Sequence, residues 1–220
     1  MKLEIEKTAD GSPTLYLEDI DEHYHSVKGA LVESNHVYVD LGWRKAAESF
    51  DPVTVFEVGF GTGLNAALTA KTARENGKKT IFYSVEAYPL PKATIDNLIP
   101  FQEQTYREEF QAVNDAEWEK PVKINPFFTL VKIHSDLLSM TLPEGINAVY
   151  FDAFAPEKQP EMWSENIFKK IFGSLTTGGI LTTYCAKGSI RRMLQSTGFF
   201  TERLSGPPGG KREVLRATKK

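Results

Sequence analysis

The most constraining feature of the chain is the stretch Val53 to Asn65, which reads V-T-V-F-E-V-G-F-G-T-G-L-N. An apolar, β-branched run ends in glycines at the alternate positions 59, 61 and 63, and the small-residue run A-A-L-T-A follows. This order is typical of a strand, a tight turn and the start of a helix, the opening unit of an open α/β sheet. Because ligands of such sheets bind beyond the carboxyl ends of the strands, the turn predicts a binding site there.

Two cofactor classes fit this turn. Residues 61–66, G-T-G-L-N-A, match the G-x-G-x-x-G/A fingerprint of dinucleotide-binding proteins in its alanine-ending form. Glu57 with Gly59, Gly61 and Gly63 matches the E/D-x-G-x-G-x-G loop of S-adenosylmethionine (SAM) methyltransferases. A pyrophosphate is anionic and favours bare amides at a helix N-terminus, whereas SAM carries an ammonium group and a sulfonium. Glu57 therefore favours SAM, and the dinucleotide interpretation stays open as an alternative.

Composition places the chain among soluble globular proteins. Its 220 residues fit a single domain, with 41% hydrophobic and 25% charged residues. Apolar runs stay well short of the roughly 20 residues of a membrane span, and the N-terminus M-K-L-E-I-E-K alternates like a strand instead of resembling a signal peptide. Cys185 is the only cysteine, and the four histidines suggest no ligand set, so we expect no metal and no membrane association. We expect a cytoplasmic protein.

The pattern along the chain predicts an N-terminal extension and a core. Residues 1–50 predict a hairpin over 1–20 and a mostly helical block over 23–49, which we expect to cap the cofactor mouth. Residues 51–220 alternate strands and helices, with a polar helical segment over 91–120 and a turn at Gly178-Gly179. The predicted strands are 53–58, 80–89, 127–136, 146–154, 180–186, 199–204 and 212–218, and the predicted helices include 64–76, 161–172 and 189–197. This is an α/β fold, the Rossmann-like, mostly parallel sheet of seven strands seen in class I SAM-dependent methyltransferases, with helices on both faces and an antiparallel last strand.

Acidic residues stand at the predicted ends of four parallel strands. Glu57, Glu86, Asp136 and Asp152 should meet at one edge of the sheet, where they would suit a positively charged cofactor and repel a dinucleotide. We expect the first three to serve the methionine amine, the ribose and the adenine amine of SAM, and Asp152 to lie where the methyl group meets its acceptor. The loop residues Gly59, Gly61, Gly63 and Asn65 complete the predicted cofactor site.

The C-terminal end carries a concentrated positive charge. The chain has a net charge of −3, but residues 187–220 hold nine Lys or Arg against two Glu, a net +7, which leaves −10 for the rest. Concentrated on one end of a sheet, such a charge is the electrostatic footprint that phosphate binding requires.

Five motifs, taken in order along the chain, resemble the tRNA 5-methylaminomethyl-2-thiouridine methyltransferases. They are E-V-G-F-G-T-G-L-N (57–65), S-V-E-A-Y-P-L (84–90), D-A-F-A-P-E-K-Q-P-E-M-W (152–163), Y-C-A-K-G-S-I-R-R-M-L (184–194) and G-K-R-E-V-L (210–215). The resemblance implies that an amine on the C5 aminomethyl group of wobble uridine 34 receives a methyl group from SAM. The chain ends before any flavin-binding oxidase half, so we expect it to receive the aminomethyl nucleoside ready-made.

We expect further residues to act near the acceptor and along the RNA. Asp152 matches the family's acid near the acceptor nitrogen, Phe154 is a candidate to pack on the flipped uracil, and Tyr184 is a candidate to support the site from the end of the fifth strand. The residues expected to meet phosphates of the tRNA anticodon stem-loop are Lys187, Arg191, Arg192, Lys211 and Arg212.

Three alternatives belong to other classes. One is a SAM enzyme acting on a small amine or other metabolite, for which the basic end would be incidental. Another is a nicotinamide-dependent oxidoreductase, which the alanine-ending fingerprint favours. The third is a non-catalytic RNA-binding module, against which the retention of all four acids argues.

Overall fold

The first strands of the chain form a small antiparallel sheet. The computed structural model describes residues 2–220, so Met1 lies outside the described residues. Strand β1 (Leu3–Lys7) pairs with β2 (Pro13–Leu17), and β2 pairs with the short strand β3 (Glu22–His23). The hairpin predicted at the N-terminus is confirmed within this range, with the third strand as an addition.

A helix spanning residues 30–47 connects the small sheet to the core. It consists of α1 (Ala30–Glu33), a π-helical stretch (Ser34–Arg44) and α2 (Lys45–Ala47). The helix predicted over 23–49 is therefore confirmed from residue 30 onward, whereas residues 22–28 form β3 and a loop. The helix buries Tyr38 and Trp43 in the core, so most of the segment supports the sheet instead of capping its mouth.

The core is an eight-stranded sheet with the order β10-β11-β9-β8-β4-β5-β7-β6. Five strands run parallel in the centre, β11 runs antiparallel to β9 and β10, and β6 runs antiparallel to β7. The strands are β4 (Val53–Val58), β5 (Thr80–Glu86), β6 (Pro121–Asn125), β7 (Phe128–His134), β8 (Ile146–Phe151), β9 (Leu175–Thr183), β10 (Phe200–Ser205) and β11 (Glu213–Thr218). The fold class predicted from the sequence is confirmed.

Helices cover both faces of this sheet. One face carries the helix of residues 30–47 with α3 (Leu64–Asn76), α4 (Lys92–Leu98) and α5 (Arg107–Asp115), and the other carries α6 (Glu165–Ser174) and α7 (Gly188–Ser196). Side chains of a strand alternate between the two faces. In β4, Val53 and Val55 accordingly pack in the first core and Phe56 and Val58 in the second.

The structure corrects the prediction in two places. The predicted count of seven strands is wrong by one, because Pro121–Asn125 forms an edge strand in a hairpin with β7. Its leading proline is tolerated at the start of an edge strand, which made the segment look unlike a strand. The turn predicted at Gly178-Gly179 is also wrong, since both glycines lie inside β9, next to an irregularity in its pairing with β8. Such irregularities are where strand glycines concentrate.

The carboxyl ends of the central parallel strands meet at one edge of the sheet. There β4 leads into the glycine loop, and β5, β7 and β8 end close to Glu86, Asp136 and Asp152. No helix within residues 2–220 has the length and apolar character needed to cross a bilayer. Glu86, Asp136 and Asp152 come together at this edge of the sheet.

Candidate active site

A cavity of about 810 Å³ lies at the carboxyl edge of the sheet. The glycine loop and the segments after β5, β7, β8 and β9 form its walls, and residues 22–28 close it from the side of the small N-terminal sheet. Its volume falls within the roughly 300–1,000 Å³ typical of small-molecule sites. The predicted site residues that line it are Gly59, Gly61, Asn65, Glu86, Asp136, Asp152, Phe154, Lys187 and Lys211.

The glycine loop needs glycine at its turning points. Gly59, at φ 88°, lies so close to β8 that a Cβ atom would stand 3.1 Å from the Asp152 carbonyl oxygen. Gly63, at φ 81°, would place a Cβ atom 2.8 Å from the Phe60 ring, so it shapes the turn without lining the cavity. Left-handed backbone of this kind is costly for residues with a side chain. The loop thus brings backbone directly against the cavity and starts α3 behind it.

Glu57 lies beneath the loop instead of facing the cavity. Its Oε2 accepts a hydrogen bond from Ser84 Oγ at 2.5 Å, while its buried Oε1 has no hydrogen-bond partner among residues 2–220. Burial raises the pKa of Glu57 well above its usual range, with the Asp152 and Glu86 charges adding to the effect. A direct contact between Glu57 and the methionine amine stays a prediction.

Glu86 and Asp136 present fixed carboxylates to the cavity. Gly61 N donates to Glu86 Oε2 at 3.0 Å, and Tyr88 N donates to Glu86 Oε1 at 2.9 Å. Leu138 N donates to Asp136 Oδ1 at 2.8 Å. Each carboxylate oxygen has two lone pairs, so both acids can still accept hydrogen bonds from a ligand. Glu86 also ties the end of β5 to the glycine loop.

Asp152 is partly buried and is held from two sides by hydrogen bonds. Tyr38 Oη donates to its Oδ1 at 2.5 Å, and Asn65 Nδ2 donates to its Oδ2 at 2.8 Å. Burial raises the pKa of Asp152 to about 6, although both hydrogen bonds favour the ionised form. The group is therefore mostly a carboxylate at neutral pH, and its orientation is fixed before any ligand arrives.

Aromatic side chains stand beside Asp152. The Tyr24 and Phe154 rings pack edge to face, with centroids 5.3 Å apart, and Trp163 Nε1 donates to the Phe154 carbonyl oxygen at 2.8 Å. Tyr184 Oη donates to the carbonyl oxygen of Ala153 at 2.8 Å, which places its ring next to the acid. The cavity thus joins a polar end at the glycine loop to an aromatic end near the mouth.

The predicted basic residues fall into two groups. Lys187 and Lys211 line the cavity, where Lys187 pairs with Glu157 and Lys211 Nζ lies 3.5 Å from Glu33 Oε1. Arg191 and Arg192 on α7 and Arg212 in the loop between β10 and β11 do not line the cavity.

Sequence reasoning missed three residues of the site. Tyr38 is the hydrogen-bond partner of Asp152 from 114 positions away. His25 bridges the small sheet and the glycine loop, with Nδ1 3.2 Å from Thr14 Oγ1 and Nε2 3.3 Å from Thr62 Oγ1, and burial lowers its pKa to about 4. Glu33 lines the cavity from the first turn of the helix of residues 30–47. No local pattern marks these residues, because packing alone brings them to the site.

Comparisons with known proteins agree with this geometry. A family profile described as S-adenosyl-L-methionine-dependent methyltransferase matches residues 105–220. The tRNA 5-methylaminomethyl-2-thiouridine biosynthesis bifunctional protein MnmC of Cupriavidus metallidurans is 29% identical over 94% of this chain and 32% of its own length. The protein of the same name from Ralstonia nicotianae is 30% identical over 94% of this chain and 33% of its own length. The chain thus spans about a third of the length of these curated relatives.

Solved structures share the fold along the whole chain. The crystal structure of MNMC2 from Aquifex aeolicus superposes with a TM-score of 0.83 at 28% identity and covers 100% of this chain and 71% of that one. Spermidine synthase from Thermotoga maritima superposes with a TM-score of 0.59 at 13% identity, covering 99% of this chain and 69% of that one, which shows the fold alone.

The donor set of the cavity suits SAM. Within the described residues, the buried acceptor Asn65 Oδ1 has no hydrogen-bond partner where Asn65 lines the cavity beside the glycine loop, and an ammonium group would supply its donor. Glu86 and Asp136 offer further acceptors for hydroxyl and amine donors, and a dinucleotide pyrophosphate would meet repulsion from these two carboxylates. The nicotinamide-dependent alternative is therefore set aside. SAM is the cofactor, and the chain belongs to the family of S-adenosyl-L-methionine-dependent methyltransferases.

Proposed function

We propose that this protein methylates the nitrogen of the 5-aminomethyl group on wobble uridine 34 of tRNA, giving 5-methylaminomethyl-(2-thio)uridine. The observation that carries the proposal is Asp152, an oriented carboxylate at the junction between the glycine loop and an aromatic wall. The names of the MnmC relatives, which refer to biosynthesis of tRNA 5-methylaminomethyl-2-thiouridine, support the same substrate. Both parts of the chain contribute walls to the cavity, so we propose that residues 1–50 and 51–220 act as one domain. A cytoplasmic location follows from this substrate.

The chemistry requires a neutral amine. SAM supplies an electrophilic methyl group on a sulfonium, and the amine nitrogen bonds to that carbon as the carbon–sulfur bond breaks. A free alkylammonium titrates near pH 10, as the Lys side chain does at about 10.4. Asp152, with a pKa of about 6, is ionised at neutral pH and can accept a hydrogen bond from the amine.

Asp152 acts first by orientation. A gap of about four pH units between the carboxylate and a free ammonium corresponds to about 5.5 kcal/mol against direct proton transfer. Desolvation of the amine in the cavity lowers this difference, because burial disfavours the charged form. Tyr38 and Asn65 fix the two oxygens, so the carboxylate meets the amine without reorganisation. The substrate ammonium transfers its proton to Asp152 or to water after its nitrogen has been positioned beside the methyl group of SAM.

The aromatic wall suits an extruded base. Proteins that recognise single-stranded RNA bind bases that have left the base stack and pack them on aromatic side chains. Phe154 and Tyr24 line the same cavity as Asp152 and pack edge to face, so we propose that a uracil ring packs on them with its C5 substituent toward Asp152. Phe154 is held by its neighbours through Tyr24 and through the Trp163 hydrogen bond to its carbonyl oxygen.

The basic end of the chain would hold the anticodon stem-loop. Phosphate contacts position an RNA without reading its sequence. The residues proposed for these contacts are Lys187, Arg191, Arg192, Lys211 and Arg212, all in the segment with net charge +7. The net −10 of the remaining chain would repel RNA elsewhere, which favours approach by this end.

The decisive experiment locates the transferred methyl group. The protein is incubated with methyl-labelled SAM and tRNA carrying 5-aminomethyl-2-thiouridine at position 34, and the RNA is digested and analysed by mass. We expect the label on the 5-aminomethyl nitrogen and none in tRNA with unmodified uridine 34. Label at another nucleoside would overturn the site, and label in a small amine that outcompetes tRNA would favour the metabolite enzyme.

A further inference from the structure

A side chain of the protein itself occupies one part of the mouth of the cavity. Lys211 Nζ lies 3.7 Å from the centroid of the Tyr184 ring and 3.5 Å from Glu33 Oε1. All three residues line the cavity that contains Asp152. An ammonium ion on an alkyl chain therefore rests on an aromatic face beside a carboxylate, inside the cavity that contains Asp152.

Glu33 is the unusual member of this group. Its side chain is 11% exposed, and its Oε1 makes no hydrogen bond in the described residues, so its polar partner is the Lys211 ammonium. A buried carboxylate that loses its counterion is strongly destabilised. Lys211 is 45% exposed and sits in the glycine-rich loop between β10 and β11, so it can leave far more easily than Glu33 can move.

The Tyr184 ring is fixed with respect to the reacting acid. Its hydroxyl donates to the carbonyl oxygen of Ala153, the residue after Asp152. The Asp152 and Glu33 charges each act on the other groups of the site: Glu33 raises the pKa of Asp152, and Lys211 lowers it. Glu33, Tyr184 and Asp152 line the same cavity, so the aromatic subsite and the catalytic acid belong to one acceptor pocket.

We infer that Glu33 and Tyr184 form a cation subsite for the acceptor's aminomethyl ammonium, which Lys211 occupies until the RNA arrives. This deepens the proposed function and rests on it. A substrate alkylammonium carries the same charge and donors as the lysine, so it replaces Lys211 without leaving Glu33 unpaired. The released lysine then meets a phosphate of the same RNA. A neutral substituent at C5 cannot make this exchange, so the subsite selects aminomethylated uridine over unmodified or hydroxymethylated uridine.

If Lys211 competes with the substrate for the subsite, removal of its charge should strengthen the binding of an aminomethyl nucleoside. The probes are the nucleosides 5-aminomethyluridine and 5-hydroxymethyluridine, titrated calorimetrically at pH 7.5 into full-length protein saturated with S-adenosylhomocysteine. Lys211→Met keeps roughly the length of the side chain but removes its ammonium group from the subsite. The variant should therefore bind 5-aminomethyluridine about threefold to tenfold more tightly than the parent does. This range corresponds to the loss of an exposed cation–π contact and ion pair that compete with the ligand. Binding of 5-hydroxymethyluridine should not change.

Two further variants complete the test. Lys187→Met, which breaks the pair with Glu157 on the same mouth, should give no gain for either nucleoside. Glu33→Gln should reduce the ratio of the affinities for 5-aminomethyluridine and 5-hydroxymethyluridine about tenfold. A thermal unfolding measurement should show that this variant is folded. A Lys211→Met protein that binds the two nucleosides equally, or gains equally for both, refutes the subsite.

Methylation of tRNA by the parent protein, measured in parallel, separates the two ideas. If the parent labels uridine 34 but Lys211→Met shows no selective gain, the subsite alone is wrong. If the parent protein transfers no label to tRNA, the proposed function is wrong regardless of the nucleoside affinities.

Discussion

The hydrogen bond from Tyr38 to Asp152 leads to a prediction about the pH dependence of methyl transfer. This bond, 2.5 Å long and partly buried, favours the ionised carboxylate. Tyr38→Phe removes the hydroxyl and keeps the ring, which packs against Tyr150 at a centroid distance of 5.3 Å. The second donor to Asp152, Asn65, is unchanged, so the variant isolates one hydrogen bond to the acid.

The structure sets the size of the effect. With both hydrogen bonds present, the pKa of Asp152 is raised to about 6. A hydrogen bond to a charged group contributes about 1.5–3 kcal/mol, and about 1.36 kcal/mol corresponds to one pH unit. The pKa of Asp152 should therefore rise by about one to two pH units in the variant. The carboxylate is the active form of Asp152. The variant should therefore lose activity on acidification at a pH about one to two units higher than the parent does.

The profile of kcat/KM against pH measures this shift, because it reports groups of the free enzyme. We expect the acidic limb to move upward by about one to two pH units in Tyr38→Phe, which reduces the rate about threefold to twentyfold at pH 6.5 and little at pH 9. Tyr150→Phe is the matched control, because its hydroxyl contacts Thr69 Oγ1 at 3.1 Å and not the acid. An unmoved limb in Tyr38→Phe, or equal movement in both variants, would refute the reasoning.

Three further predictions test the remaining parts of the site. Asp152→Asn should leave the affinity for SAM unchanged and lower the turnover rate. The reduction should be about 10²- to 10⁴-fold if the acid accepts the proton, and smaller if it only orients the amine. A turnover rate equal to that of the parent would show that Asp152 has a structural role only. Glu86→Ala should weaken SAM binding in calorimetry by about 1.5–3 kcal/mol, since it removes acceptors and frees the Gly61 amide; unchanged affinity would contradict the ribose assignment. Changing Arg191 and Arg192 together to Ala should weaken different tRNAs alike and flatten the slope of log K against log salt by about 0.7 per lost phosphate contact. An unchanged slope would place the RNA surface elsewhere.

The sequence by itself determined the local elements and the edge of the sheet where the site lies. The glycines at 59, 61 and 63 mark a turn that few other residues can make, and the apolar run before them marks a buried strand. The helix over Leu64–Asn76 ends at Gly77, as its glycine predicted, because the stop signal is local. Since parallel strands end at the same edge, acids placed after several strands could be assigned to one site without knowing the packing.

Tertiary structure alone decided how those acids are used. Glu57 follows the expected motif but is turned beneath the loop against Ser84, because the pleat of β4 directs its side chain into the core. Tyr38 and Glu33 reach the acceptor pocket from a segment that the sequence predicted only as a mostly helical block. Contacts between residues more than a hundred positions apart depend on how helices and strands pack, and local propensity carries no information about that packing.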